Sequence, residues 1–143
     1  MGGLIGTATK NKTGLSDSIQ ALNSTFYNIS TGNKQAALFK VCDWGPTISH
    51  ILHIYSAPNG TSGTCRYIRV ILSDLYIFAN YILSKGENNI RLFKDETSFY
   101  AYVYNGAWSR SYIKIFSSGP HLFYITDVTN EISISDLTEI SIT

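Results

Sequence analysis

Three histidines, two cysteines and ten acidic residues are the groups in this 143-residue chain that could do acid–base, nucleophilic or metal chemistry. His50 and His53 stand three apart in a stretch that reads as a strand, and an odd spacing on a strand sends side chains to opposite faces. They do not share a metal there, and Cys42, though near in sequence, stands at no ligand spacing from them. The carboxylates (Asp17, Asp43, Asp74, Glu87, Asp95, Glu96, Asp127, Glu131, Asp136, Glu139) fall mostly at turns and strand ends, where turn formation and solubility explain them. A glycosidase needs two carboxyls about 5 to 9.5 Å apart in a cleft, an arrangement that linear order does not display. Gly60-Thr61-Ser62-Gly63 lacks the lysine and the strand–loop–helix setting of a phosphate loop. The expectation is a protein that is not an enzyme and holds no metal or cofactor.

Aromatic residues are the remaining chemistry. Ten Tyr, seven Phe and two Trp make 13% of the chain, alongside many Ser and Thr. Rings with a polar tip suit carbohydrate and protein recognition, because they offer rigid apolar faces at little entropy cost. From Phe99 to Phe116 the pattern predicts a hairpin turning at Asn105-Gly106, with Phe99, Ala101 and Val103 on one face and Tyr100, Tyr102 and Tyr104 on the other. Both faces are apolar or aromatic, so the second wants another sheet, a neighbouring subunit or a ligand. Tyr100 and Tyr102 are accordingly candidates for sheet packing or an oligomer interface. Trp44, Asn59, Tyr104, Asn105 and Trp108, in or beside predicted loops, are the candidate ligand-binding residues.

The elements that must carry these residues are strands. From Gln35 onward strand signals recur at 8–12-residue spacing: Ala36–Cys42, Ile48–Tyr55, Thr64–Leu72, Leu75–Leu83, Asn88–Lys94, Thr97–Tyr104, Ser109–Phe116, Leu122–Val128 and Glu131–Ile142. Gly-, Pro- and Asn-rich separators stand between them. Residues 73–84 also fit an amphipathic helix through Leu75, Ile77, Phe78, Tyr81 and Ile82, and the strand is preferred. Residues 1–34 are polar, with one short helical signal at Leu15, Ile19 and Leu22, and read either as a frayed terminus or as a neck from a larger assembly. The predicted fold is all-β, an antiparallel β-sandwich of jelly-roll type over 35–143 behind a connector over 1–34.

Composition narrows the partners. Charged residues are 15% and the net charge is +1, so there is no basic footprint for nucleic acid. Two cysteines are too few for a disulfide scaffold; free thiols are favoured and a single Cys42–Cys65 bridge is the alternative. No apolar run reaches the 18 or so residues of a membrane span, and the first residues lack the charge of a signal peptide, so a soluble chain without membrane insertion is expected. Four Asn-x-Ser/Thr sequons, at Asn11, Asn23, Asn28 and Asn59, are what a chain this rich in Asn, Ser and Thr yields by chance.

The pattern resembles the distal, receptor-binding part of a bacteriophage tail fibre or baseplate appendage. The likeness lies in Ala8-Thr9-Lys10-Asn11-Lys12-Thr13-Gly14-Leu15 as an entry segment and in Leu38-Phe39-Lys40-Val41, Tyr67-Ile68-Arg69-Val70, Phe99-Tyr100-Ala101-Tyr102-Val103 and Tyr112-Ile113-Lys114-Ile115 as successive strands. The resemblance implies a homotrimer in the virion tail whose exposed loops recognise a bacterial cell-surface polysaccharide or protein. A heptad or collagen-like stem is missing, and His50-Ile51-Leu52-His53 is not the His-x-His pair with which some fibres hold iron. Two other readings stand beside it: a carbohydrate-binding or adhesin domain of a bacterial surface protein, and a purely structural virion protein.

Overall fold

A computed structural model describes residues 26–46, 49–58, 63–104, 106–117 and 123–143. Alternating β-branched and aromatic residues fold into ten strands: β1 (Phe26–Ser30), β2 (Ala37–Asp43), β3 (His50–Ala57), β4 (Cys65–Ser73), β5 (Tyr76–Lys85), β6 (Ile90–Lys94), β7 (Ser98–Val103), β8 (Arg110–Ser117), β9 (Thr126–Asp127) and β10 (Thr138–Ile140). They make two five-stranded antiparallel sheets, β1-β8-β3-β4-β5 (sheet A) and β10-β6-β7-β2-β9 (sheet B). The expected all-β sandwich is therefore the fold. β8 between β1 and β3, opposite β7 beside β2, interleaves the two ends of the chain, whereas β3, β4 and β5 run as a meander.

Between the sheets lies one core. Leu52 and Ile54 of β3, Ile68, Val70 and Leu72 of β4, and Ile113 and Ile115 of β8 point inward, and they meet Val41, Ile90, Leu92, Phe99, Ala101 and Val103 of sheet B. The inward set is the period-two set of each strand, as a half-buried sheet requires. One polar cluster is buried with it. Ser56 and Ser111 share a 2.6 Å hydroxyl contact, and the Asn89 amide donates to Ser56 at 2.7 Å.

Several predicted details differ. Phe26–Ser30, counted within the connector, is edge strand β1, paired along its length with β8. The remainder of that connector up to residue 25, with its helical signal, lies outside the described residues. The hairpin expected over Phe99–Phe116 does not form: β7 and β8 belong to different sheets. β6 and β2 occupy both edges of β7, so no edge is left for β8. Residues 106–109, which lead into β8, are instead zipped to the loop before β2, with Trp108 N–H donating to Gly32 and Gly106 N–H donating to Gln35. Ile77, Ala79 and Tyr81 place the ambiguous 73–84 stretch firmly on a strand, since they are the residues of β5 that face the core.

The last two predicted strands are mostly irregular. Only Thr126–Asp127 and Thr138–Ile140 pair, and between them a 3-10 turn, Ile134–Asp136, is capped by the Ser133 hydroxyl. This segment covers the outer face of sheet B: Ile132, Ile134 and Leu137 pack on Leu38, Phe93, Tyr100 and Val128. Beyond β10 the chain crosses to the edge of β5, where Tyr81 N–H donates to Thr143 and Thr143 N–H donates to Ala79. Both sheets are thereby tied together at that edge. Among the described residues no helix is long and apolar enough to cross a membrane.

Candidate functional site

Among the described residues nothing covers sheet A in this way. Its outer face is built from the residues that alternate with the core set, and strand register arranges them in three rows. The first row is Phe116, Ile51, Ile71 and Phe78. The second is Phe26, Lys114, His53, Arg69 and Asn80, and the third is Asn28, Tyr112, Tyr55, Tyr67 and Leu83. At the ordinary strand spacing a five-strand row runs roughly 19 Å. Phe26 is 57% exposed, Phe78 56% and Phe116 42%, values that mark an open aromatic surface and not the outer shell of a core.

Ring contacts hold this face rigid. Tyr55 and Tyr112 lie 6.2 Å apart at 33°. His53 meets the edges of Tyr67 and Phe116 at 5.6 and 5.3 Å, and its Nδ1 shares a 2.9 Å hydrogen bond with the Tyr67 hydroxyl. The Lys114 ammonium sits 5.2 Å from both the Phe26 and Phe116 rings. Burial, with Arg69 and Lys114 on either side, pushes the His53 imidazole below its ordinary pKa, so it is neutral at neutral pH.

Carboxylates are distributed unevenly between the sheets. The strands of sheet A contain Arg66, Arg69, Lys85, Arg110 and Lys114 and no Asp or Glu. Sheet B strands carry Asp43, Asp127 and Glu139 beside Lys40, Arg91 and Lys94, and its connections add Asp95, Glu96, Glu131 and Asp136; the acids nearest sheet A are Asp74 and Glu87, in the turns at either end of β5. All three ion pairs among the described residues (Lys34–Asp127, Lys40–Asp43, Arg91–Glu139) involve sheet B strands.

The residues expected to bind ligand do not converge. Trp44 follows β2 at the end of sheet B where Asp43 pairs with Ser98, whereas Tyr104 and Trp108 lie at the other end, where Ala37 pairs with Val103. Trp44 is largely anchored: its indole N–H donates to the Asp95 carbonyl at 2.9 Å, Lys94 covers the ring at 4.9 Å, and the side chain packs on the core. It lines an open groove of about 450 Å³ with Lys94, Asp95, Glu96, Asp136 and Thr138. Tyr104 is half-buried and stacks on Tyr102 at 5.6 Å, and its hydroxyl pKa is raised chiefly by burial. Trp108 is 57% exposed and holds a left-handed backbone, φ 59°, which a side chain of that size adopts only when its surroundings impose it. Asn59 and Asn105 lie outside the described residues.

Tyr100 is buried beneath the C-terminal segment and Tyr102 is half-buried beside it, so the tail of the same chain packs over the Tyr face. Tyr55, Tyr112, Arg69 and Lys114 were not singled out from sequence. Their signal was present, since five strands free of carboxylate alternate core and aromatic residues, but sheet membership is not readable from chain order.

The other titratable groups have structural duties. Burial raises the Asp95 pKa, yet hydrogen bonds from the Tyr100 hydroxyl (2.6 Å) and the Thr97 and Ser98 amides outweigh it and hold the carboxyl below its ordinary value. Glu139 is lowered by its two bonds from Arg91. Asp127 is lowered too, where bonds from Thr129 and Lys34 outweigh burial. Cys42 and Cys65 are both free. Cys42 is buried on sheet B, its thiol pushed up to about 12 chiefly by burial, and Cys65 is half-buried on sheet A. His50 faces the core with its ring edge-on to Phe123 at 5.1 Å, opposite in sense to His53 on the same strand. Among the described residues no three His, Cys, Asp or Glu side chains gather as a metal site would need.

No family model and no curated protein matches the chain. Among solved structures it is similar to a tailspike protein of the Acinetobacter baumannii bacteriophage Fri1, described as a capsular polysaccharide depolymerase, at 17% identity and a TM-score of 0.44. The likeness covers 73% of this chain and 20% of the tailspike, so the chain spans about a fifth of that protein's length.

Proposed function

We propose that the chain is a non-enzymatic receptor-binding module of a phage tail fibre or baseplate appendage, and that it recognises a bacterial cell-surface glycan. The observation that carries this reading is the exposed aromatic face of sheet A, which no described segment covers. Sugar rings present apolar C–H faces edged by hydroxyls, and Tyr55, Tyr112 and Phe116, held in a rigid sheet, offer matching ring faces with polar tips and little conformational entropy to lose. The phage-tail setting comes from the strand segments that resemble receptor-binding tips. A homotrimer, as that resemblance implies, would multiply weak single-site contacts through effective concentration.

Three carboxylates support binding without hydrolysis. Asp95, Asp127 and Glu139 are held below their ordinary pKa by hydrogen bonds within the fold, which unsuits these three for the raised-pKa general acid of glycoside cleavage. The test is adsorption of the labelled chain to a panel of capsulated bacteria, with release of reducing sugar ends measured in parallel. Adsorption is expected without release, and Tyr55→Ala combined with Tyr112→Ala should lower it about tenfold or more, the scale of two lost aromatic contacts. Undiminished adsorption by that variant, or accumulating reducing ends, overturns the reading. Light scattering then reads the subunit number.

A further inference from the structure

The chain is almost neutral as a whole, which hides how its charges are placed. Every Asp and Glu is absent from the five strands of sheet A, and the two cations at the centre of its outer face, Arg69 and Lys114, enter no ion pair among the described residues. They flank His53 in one cross-strand row, between a row of Phe and Ile and a row of Tyr. An unpaired arginine and lysine set among exposed rings are fitted to a ligand that alternates apolar faces with negative groups. We propose that the outer face of sheet A binds an acidic polysaccharide, with the Arg69 fork and the Lys114 ammonium taking sugar carboxylates while Tyr55, Tyr112 and Phe116 take the sugar rings.

This inference rests on the glycan-binding reading above and adds the chemical class of the ligand. Two other occupants fit less well. A second copy docked face to face through a twofold axis would set the Lys114–His53–Arg69 row against itself, like charge on like. A nucleic acid strand brings one phosphate per nucleotide, and its binders neutralise several; two central cations are too few for that, and Arg66 is buried, with its guanidinium spent on the carbonyls of Cys65, Lys85 and Gly86. Carboxylates spaced one per sugar or per repeat suit two cations separated by one strand. Arg69 can grip a carboxylate through two parallel N–H bonds, whereas Lys114 acts as a point charge.

The experiment is affinity electrophoresis of the full chain through gels containing polygalacturonate, a polymer with a carboxylate on each sugar, or neutral dextran. A single-stranded DNA oligonucleotide serves as competitor, and the same proteins are assayed for adsorption to cells. Wild type should be retarded by polygalacturonate and not by dextran, with retardation falling as salt rises. Arg69→Gln combined with Lys114→Gln should weaken it about tenfold or more while leaving the melting temperature unchanged, because both side chains lie on the outer face. Four results overturn the proposal: equal retardation by dextran, retardation unchanged in the double variant, DNA displacing polygalacturonate at equimolar sites, or a stable oligomer that the double variant dissociates. Cell adsorption that the charge variant keeps and the Tyr55→Ala, Tyr112→Ala variant loses removes the acidic class and leaves glycan recognition standing. Adsorption that neither variant alters removes both.

Discussion

The two sheets have outer faces of similar composition and opposite fates. On sheet B, Leu38, Phe93, Tyr100 and Val128 are sealed under Ile132, Ile134 and Leu137, and the Tyr100 hydroxyl finds the Asp95 carboxylate. On sheet A, Phe116, Ile51, Phe78, Tyr55 and Tyr112 have no such lid among the described residues, and the row between them carries Lys114 and Arg69 in place of an internal acid. The burial patterns of single strands record the contrast. β7 is buried on nearly every residue, whereas β3 alternates strictly between buried and accessible positions. An aromatic strand face therefore says only that something must cover it or use it. Which of the two applies depends on where the rest of the chain goes.

The contrast breaks most decisively at matched tyrosines. Tyr100→Ala should cost about 3–5 kcal/mol, the scale for emptying a buried aromatic site, whereas Tyr55→Ala should cost less than about 1 kcal/mol. Equilibrium urea unfolding of both variants measures the difference, and equal losses would mean that sheet A is covered as sheet B is. Next in size is Tyr100→Phe, which keeps the ring and deletes the bond to Asp95, at roughly 1.5–3 kcal/mol for a hydrogen bond to a charged group. Because the folded Asp95 pKa lies below its unfolded value, the stability it supplies is complete above that unfolded value and lost as pH falls through the folded one. Asp95→Asn should flatten the acid limb of the stability curve below about pH 4.

Sheet A should respond to pH in a higher window and more weakly. The folded His53 pKa is lowered, so the unfolded chain binds the proton more readily, and stability should slip as pH drops below about 6.5 towards the folded value. Urea midpoints at pH 7 and pH 5 should differ less in His53→Gln than in wild type. The smallest perturbation is chemical labelling. Iodoacetamide under native conditions should modify Cys65 and spare Cys42, whose thiol is buried and pushed up to about 12; mass spectrometry before and after unfolding reads one and then two adducts.

Much of the sandwich was legible because its strands alternate and its turns are punctuated. β2 to β8 lie within a few residues of their predicted positions, and the helix alternative for 73–84 disappears once Ala79 and Tyr81 face the core. Three features were not legible, each for a physical reason. Phe26–Ser30 carries a short strand signal after a long polar stretch, and its partner β8 lies eighty or more residues away. Asn105-Gly106 is a strong local hairpin signal, but both edges of β7 were already taken, and tertiary pairing overrode it. The lid on sheet B rests on only a few apolar side chains in a polar segment, Ile132, Ile134 and Leu137, which show no period of either two or 3.6 over any useful length. The candidate site suffered most. Exposed rings in loops are legible as Trp44 and Trp108, of which the indole N–H of the first is tied to the Asp95 carbonyl, while the open face is distributed over five strands that chain order does not place together.

Sheet B cancels most of its own charge, since Lys40, Arg91 and Lys94 stand among its acids, whereas the strands of sheet A carry cations alone, and this uneven placement gives a molecule of net charge +1 a dipole moment. A particle of this kind feels little net pull in a field but considerable torque. Approaching an anionic boundary such as a charged cell envelope, it would turn sheet A forward before first touch, within the roughly 8–10 Å over which physiological salt lets such fields act. Productive encounters would then outnumber what random tumbling delivers, without the indiscriminate stickiness that a strongly basic protein shows towards every polyanion it meets.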